Sequence, residues 1–208
     1  MPDIWIVKIG GSLAGGARLR AWLSQLAACR EPPIVIVPGG GRFADEVRRA
    51  QAAHGFGDAV AHRMAILAME QYGHMMAGIE PSLRPSASPI AIARAFEARR
   101  TAVWLPGQMA LGRPEIAESW EVTSDSLAAW LASELDAEHL VLVKAPPPPE
   151  GTVAASTLAA AGLVDAAFPR FLERFRGAAW CISARRHAAF AAALANGTPT
   201  GLTCVLPG

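Results

Sequence analysis

Short runs of consecutive apolar residues alternate along this chain with longer stretches in which apolar residues recur every three or four positions. The short runs fall near residues 4–8, 34–37, 102–105, 139–143, 178–183 and 202–206. With so little polar alternation they predict strands of a sheet covered on both faces. Between most of them lie alanine- and leucine-rich segments of helical spacing, namely Arg18–Ala28, Phe43–Ala53, Ala59–Gly78, Ser126–Glu134, Phe168–Phe175 and His187–Ala195. Strands alternating with helices predict an α/β fold of three layers, α/β/α, around a largely parallel central sheet. In such sheets ligands bind beyond the carboxyl ends of the strands.

Two proline-bearing regions interrupt the alternation. Pro81, Pro85 and Pro89 separate the long helical segment from the next element, and Pro146 to Pro149 form a four-residue run just after the strand Leu140–Val143. Four prolines continue neither sheet nor helix, so a stiff extended loop is expected there, either as a lobe boundary or within one fold. There is no internal repeat.

Composition narrows the function classes. The chain has 208 residues, 52% hydrophobic and 18% charged, with a net charge of +1. That is enough for one sizeable core and leaves no electrostatic footprint for nucleic acid. No apolar stretch reaches the length of a membrane span, and no basic segment followed by an apolar one marks a secretory signal. Sparse charge favours burial in a subunit interface, so a homo-oligomer is expected. Cys29, Cys181 and Cys204 are odd in number and lack CxxC spacing, which predicts neither disulfides nor zinc and makes a reducing cytoplasm the default compartment. His54, His62, His74, His139 and His187 form no short ligand cluster, and His54 and His62 are expected at the surface or in helix packing.

Candidate chemistry gathers where strands end. Lys8-Ile9-Gly10-Gly11-Ser12 closes the first apolar run, and Pro38-Gly39-Gly40-Gly41 closes the second. Turns without side chains expose backbone N–H groups, and a lysine beside them suits a phosphoryl group. The alternative is an ordinary tight turn with a surface lysine. The lysine precedes the glycines, so this is not a P-loop. Gly39–Gly41 leads directly into a helix whose first N–H groups form an anion site, to which Arg42 adds a bidentate donor. Asp45, Glu46, Arg48 and Arg49 read as the solvated face of that helix. Thr123-Ser124-Asp125-Ser126 opens another helix, with Thr123 or Ser124 as cap and Asp125 complementing the dipole. Asp125 is also placed to anchor a lysine near the phosphates. Trp120 reads as core or as a pocket wall. Lys144, at the end of a further strand, either contacts nucleotide phosphates or faces solvent. Asp165 and Arg170 stand alone in an apolar stretch.

These pieces in this order resemble the amino acid kinase family, with Val7-Lys8-Ile9-Gly10-Gly11-Ser12, Val37-Pro38-Gly39-Gly40-Gly41 and Thr123-Ser124-Asp125-Ser126 as the matching motifs. The likeness covers about residues 4–145 well and the remainder loosely. Phe43–Arg48, Ala61–Met69 and Trp120–Asp125 also look like the small kinases of methanofuran biosynthesis. That resemblance implies ATP-dependent phosphorylation of a small phosphomonoester, an (aminomethyl)furanylmethyl phosphate, to its diphosphate. It implies Mg²⁺ entering with ATP, Lys8 and Asp125 as catalytic residues, and Gly10, Gly11, Ser12 and Lys144 toward the nucleotide. Gly39, Gly40, Gly41, Arg42, Thr123 and Ser124 fall to the acceptor. On the same likeness residues 1–208 form one domain, with an acceptor-binding lobe over 1–138 and a reduced nucleotide-binding lobe over 139–208.

The chain departs from the family in its second half. Lys144-Ala145-Pro146-Pro147-Pro148-Pro149 stands where an Asp-Val-Asp-Gly-like turn is usual, and no lysine follows Lys144. Either Lys144 or an arginine such as Arg170 takes the place of the family's later lysine, or the chain is a kinase-derived small-molecule binder. A carboxylate or another phosphomonoester is the alternative acceptor.

Overall fold

The computed structural model describes residues 3–13, 16–196 and 201–208. One eight-stranded sheet runs through it in the order β3-β4-β2-β1-β5-β7-β8-β6. Its central strands are β1 (Trp5–Ile9), β2 (Ile34–Pro38), β5 (His139–Lys144) and β7 (Ala178–Ser183), with β4 (Ala102–Trp104) beyond β2. The edges are β3 (Arg84–Ser86) on one side and β6 (Thr152–Ala154) on the other, with β8 (Thr203–Leu206) between β7 and β6. Every pairing is parallel except β7 with β8. The expected architecture therefore holds. The sheet passes without a break from β1 to β5, so the two sequence halves share one core.

Alternation along the strands sorts side chains onto two faces. Ile6, Leu140 and Leu142 face α6 (Ser124–Glu134) and α8 (Phe168–Leu172), packing with Leu127, Leu131, Phe168 and Phe171. Trp5, Val7, Ile9, Val141 and Val143 face the other way, onto Leu19, Trp22 and Leu23 of α1 (Ala17–Ala28) and Phe190 of α9 (His187–Asn196). α2 (Gly41–His54) and the 22-residue α3 (Asp58–Ile79) pack against each other.

Elements that were not read from sequence sit where the pattern is weakest. β3 and β6 have three residues each and lie at the sheet edges. α4 (Pro89–Glu97) begins on a signal that was present, with Pro89 at its start and the Ser88 hydroxyl accepting from Ala91 N–H at 3.2 Å. The short helices α5 (Gly107–Ala110) and α7 (Ala155–Ala160) complete the set. The proline run forms the connection from β5 to β6, within the fold. No helix of the described residues is long and apolar enough to cross a membrane.

Candidate active site

β1 is followed by β2 on one side of it in the sheet, while β5 lies on its other side. A crevice opens beyond the carboxyl ends of strands at such a switch point. Lys8 is the penultimate residue of β1 and pairs in register with Leu142, so Lys144 emerges two residues further along β5. By the same alternation, Lys8 (two after Ile6) and Lys144 (two after Leu142) point to the α6 face. Asp125 in the first turn of α6 meets both.

The Lys8 Nζ lies 2.9 Å from Asp125 Oδ1, and the Lys144 Nζ donates to the same oxygen at 2.6 Å. All three are buried, at 5%, 7% and 5% exposure for Lys8, Lys144 and Asp125. Burial would raise the Asp125 carboxyl, but Lys8 and Lys144 overturn that and hold it at about 2. Lys144 is pushed down from the usual lysine range, first by burial and then by the charge of Lys8, with Asp125 opposing. Two ammonium groups thus share a single carboxylate oxygen, leaving donor capacity that a further anion can use. Lys144 is thus no surface lysine, and Arg170 is exposed beside Phe171.

The two glycine turns lie against each other. Ile9 and Pro38 are register partners, and Gly39 N–H donates to Ile9 O at 2.9 Å. A Cβ on Gly39 would come within 2.6 Å of Gly11 N, and one on Gly11 would fall on the backbone of Gly41. Gly41 has φ of +55°, which glycine adopts without strain. Gly40 and Gly41 carry N–H groups that open α2 and have no intrahelical acceptor. Gly39 differs from its expected role: its N–H is spent inside the fold, and its smallness serves the close approach of the turns. Gly10 accepts from Leu13 N–H at 3.1 Å, which forms the tight 3-10 turn Gly11–Leu13. The Ser12 hydroxyl lies outside what is described.

A cavity of about 500 Å³ adjoins the turns. Gly11, Gly40, Gly41, Arg42, Thr123 and Ser124 line it, together with His62, Ile66, Met69 and Trp120. The expected cap of α6 is corrected here. The side chains of Thr123 and Ser124 do not cap the helix. Asp165 does so from the other half of the chain, accepting from Thr123 N–H at 3.1 Å, Thr123 Oγ1–H at 2.8 Å, Ser126 N–H at 3.0 Å and the Ser126 hydroxyl. Burial, then the charge of Asp125, pushes the Asp165 carboxyl up, against these hydrogen bonds.

Three further residues line the cavity, of which Trp120 takes the pocket-wall reading of the two the sequence allows. His62 is only 4% exposed and lies on the cavity wall. Trp120 is half-buried, its indole N–H donating to Gln51 Oε1 at 2.7 Å. Arg48 is not merely solvated, since its guanidinium lies 4.1 Å from the Trp120 ring centre. Nothing in one-dimensional spacing links Gln51 to Trp120.

A second cavity, about 480 Å³, opens at the carboxyl end of β7 and is lined by Pro147, Pro148, Gly151, Ser183, Arg186 and Thr203 among others. Cys181 also borders it, but burial pushes its thiol up to about 12, which leaves it unreactive. Among the described residues, Asp3, Glu138 and His139 bring potential metal-ligand atoms within 4.8 Å at the opposite end of the strands. The Trp180 indole N–H donates to His139 Nδ1 at 3.3 Å, which leaves the ring proton on the Nε2 that faces Asp3. That trio is not poised as a metal site.

The model of the amino acid kinase family matches residues 3–146. The [5-(aminomethyl)furan-3-yl]methyl phosphate kinase of Methanocaldococcus jannaschii is 30% identical over 190 residues, covering 86% of this chain and 88% of that protein. Among solved structures, the uridylate kinase of Archaeoglobus fulgidus superposes with a TM-score of 0.71 at 14% identity, covering 97% of this chain and 99% of that one. The UMP kinase of Ureaplasma parvum gives 0.71 at 12% identity, covering 99% of each chain. Those two likenesses establish the fold. With its glycine turns, paired lysines and parallel sheet, the chain belongs to the amino acid kinase family of phosphotransferases.

Proposed function

We propose that this kinase transfers the γ-phosphoryl group of ATP to a phosphate oxygen of [5-(aminomethyl)furan-3-yl]methyl phosphate or a close analogue, giving a diphosphate. The observation that carries this reading is the convergence of Lys8 and Lys144 on one oxygen of Asp125, beneath two side-chain-free turns. The relative in M. jannaschii supports the acceptor. On this reading the acceptor enters the 500 Å³ cavity, every lining residue of which falls within 1–138. The nucleotide enters the 480 Å³ cavity, lined wholly from 139–208.

The acceptor phosphate is an anion attacking an anion, so the site's task is to offset repulsion rather than to supply a base. Lys8 sits under the transferring group, and Lys144 neutralises the ATP phosphates in place of the family's later lysine. Gly10, Gly11, Gly40 and Gly41 supply backbone donors, and Arg42, Thr123 and Ser124 hold the acceptor phosphate. An acceptor oxygen forms the new P–O bond as the bond from the γ-phosphorus to the bridging oxygen breaks, and the electron pair leaves on ADP. Asp125 keeps both ammonium groups aimed at that path. Asp125 Oδ1 is shared by two lysines and Asp165 is taken up by four hydrogen bonds that cap α6. Mg²⁺ on this reading arrives as part of the nucleotide substrate, held by its phosphates. The free cysteines and sparse charge support a cytoplasmic homo-oligomer.

The test is ³¹P NMR of the protein with Mg²⁺–ATP and the aminomethylfuran phosphate, with UMP as a competing acceptor. Diphosphate and ADP should appear in equal amounts. Lys8→Ala should lower the rate on the order of 10²–10³-fold, as for loss of one donor to developing charge. Absence of transfer to this acceptor, or full activity in Lys8→Ala, sinks the reading.

A further inference from the structure

One buried ionisable side chain in the acceptor-side cavity has no part in holding phosphate. His62 lies near the start of α3, 4% exposed, with its Nδ1 3.3 Å from the Ser119 carbonyl oxygen. A carbonyl only accepts, so Nδ1 carries the ring proton. In the neutral ring the other nitrogen, Nε2, is then a lone-pair acceptor. Burial lowers the His62 pKa, against the opposing pull of the Ser119 carbonyl and Glu118, which keeps the ring neutral at neutral pH.

Ala65, Ile66 and Met69 make the adjoining wall apolar. Of the charged groups at the cavity, Arg48 is drawn onto the Trp120 ring and lies 3.6 Å from Asp45, so its charge is partly spent. Arg42 directly follows the glycine turn, and Glu118, next to Ser119 but not in the lining, is paired with Arg63 at 3.1 Å. The cavity lining thus brings together the glycine turns, Arg42, a carboxylate, Asp45, and a histidine whose proton-free nitrogen is Nε2. An acceptor atom in a mostly apolar wall is costly to leave unpaired, so it discriminates in favour of ligands that bring a donor.

We propose that His62 is a specificity-determining residue of the acceptor site, its Nε2 accepting a hydrogen bond from a primary ammonium group at the end of the acceptor remote from the phosphate. This rests on the acceptor reading above and deepens it. The favoured substrate class is a small phosphomonoester that carries an amine, over the same ester without one.

The experiment is calorimetric binding of two probes, [5-(aminomethyl)furan-3-yl]methyl phosphate and its des-amino analogue (5-methylfuran-3-yl)methyl phosphate, to the wild-type chain, His62→Phe and His62→Gln. The wild-type protein should bind the amino ester roughly 10–100-fold more tightly, the range set by one unsatisfied buried polar group. In His62→Phe the preference should collapse through weaker binding of the amino ester alone. His62→Gln, which keeps an acceptor oxygen, should restore part of it. Equal binding of the two esters by the wild-type protein overturns the proposal without any variant, and so does a preference that survives in His62→Phe. Phosphoryl transfer to both esters alike would sink the role of His62 and leave the reaction standing. A clear binding preference without transfer would do the reverse.

Discussion

The two cavities at the carboxyl ends of the sheet have nearly the same volume, about 500 and 480 Å³, but they are closed by different physics. At the first, backbone meets backbone: Gly11, Gly39 and Gly41 approach so closely that no Cβ fits at Gly11 or Gly39. At the second, the proline loop and β8 are tied by a few tethers. Thr203 Oγ1–H donates to Pro149 O, Arg186 donates to Gly201 O at 2.7 Å, and Cys204 N–H donates to Gly151 O at 2.9 Å. The first wall is rigid and intolerant of substitution; the second is held by replaceable side chains and a stiff loop. Between them stands the lysine–aspartate cluster, with one cation from each half of the chain. The comparison teaches that one half of this site is specified by residues that are missing atoms, and the other by how the chain is tethered.

The largest expected effect comes from the second cation. Lys144→Met should lower phosphoryl transfer by roughly 10²–10³-fold. It leaves Lys8 and Asp125 as a one-to-one pair and removes a lysine whose charge burial already disfavours. Urea unfolding of the unliganded variant should therefore show no loss of stability. An equal collapse of stability and activity would make the cluster purely structural.

Next in size is a direct contrast of the two walls. Gly11→Ala forces a side chain onto backbone and should cost about 3 kcal/mol by denaturant unfolding, the upper range for overpacking. Pro147→Ser in the opposite cavity should stay within about 0.5 kcal/mol of the parent. Similar costs at both sites would remove the distinction drawn here.

Acid titration is expected to follow. The Asp125 carboxyl is lowered from 3.8 to about 2 on folding. Its contribution to stability is therefore complete above pH 4 and is lost as pH falls from about 4 toward 2, on the order of 2 kcal/mol in total. Asp165, raised on folding, contributes with the opposite sign. Comparing the parent with Asp125→Asn isolates the first effect, and identical pH profiles would refute it.

The smallest effect tests the link across the halves. Asp165→Ala should cost about 1 kcal/mol, as for loss of a helix cap. It should also lower kcat without changing the KM for ATP, since α6 carries Asp125 in its first turn. An unchanged kcat would limit Asp165 to stability alone.

Much of the fold was legible in the chain because the central strands are apolar on both faces, a signal that survives without tertiary knowledge. The edge strands β3 and β6 were not, because three residues with a proline or one buried face carry too little pattern. Lys8, Gly11 and Gly41 were readable because a glycine at a strand end has few other reasons to be there. His62, Arg48 and Gln51 were not, since a histidine or glutamine on a helix looks alike whether it faces water or a cavity. Asp165 was noticed as a lone charge, but its partners are 39 and 42 positions away.

The sequence by itself determined the parallel sheet, the glycine turns and the presence of a lysine at the ends of β1 and β5, because hydrophobic period and glycine geometry are local properties. The tertiary structure alone decided that both lysines share one carboxylate oxygen, that Asp165 caps α6, and that His62 turns one nitrogen to a carbonyl. Those outcomes depend on strand order and helix placement, which set distances between residues that no local pattern connects.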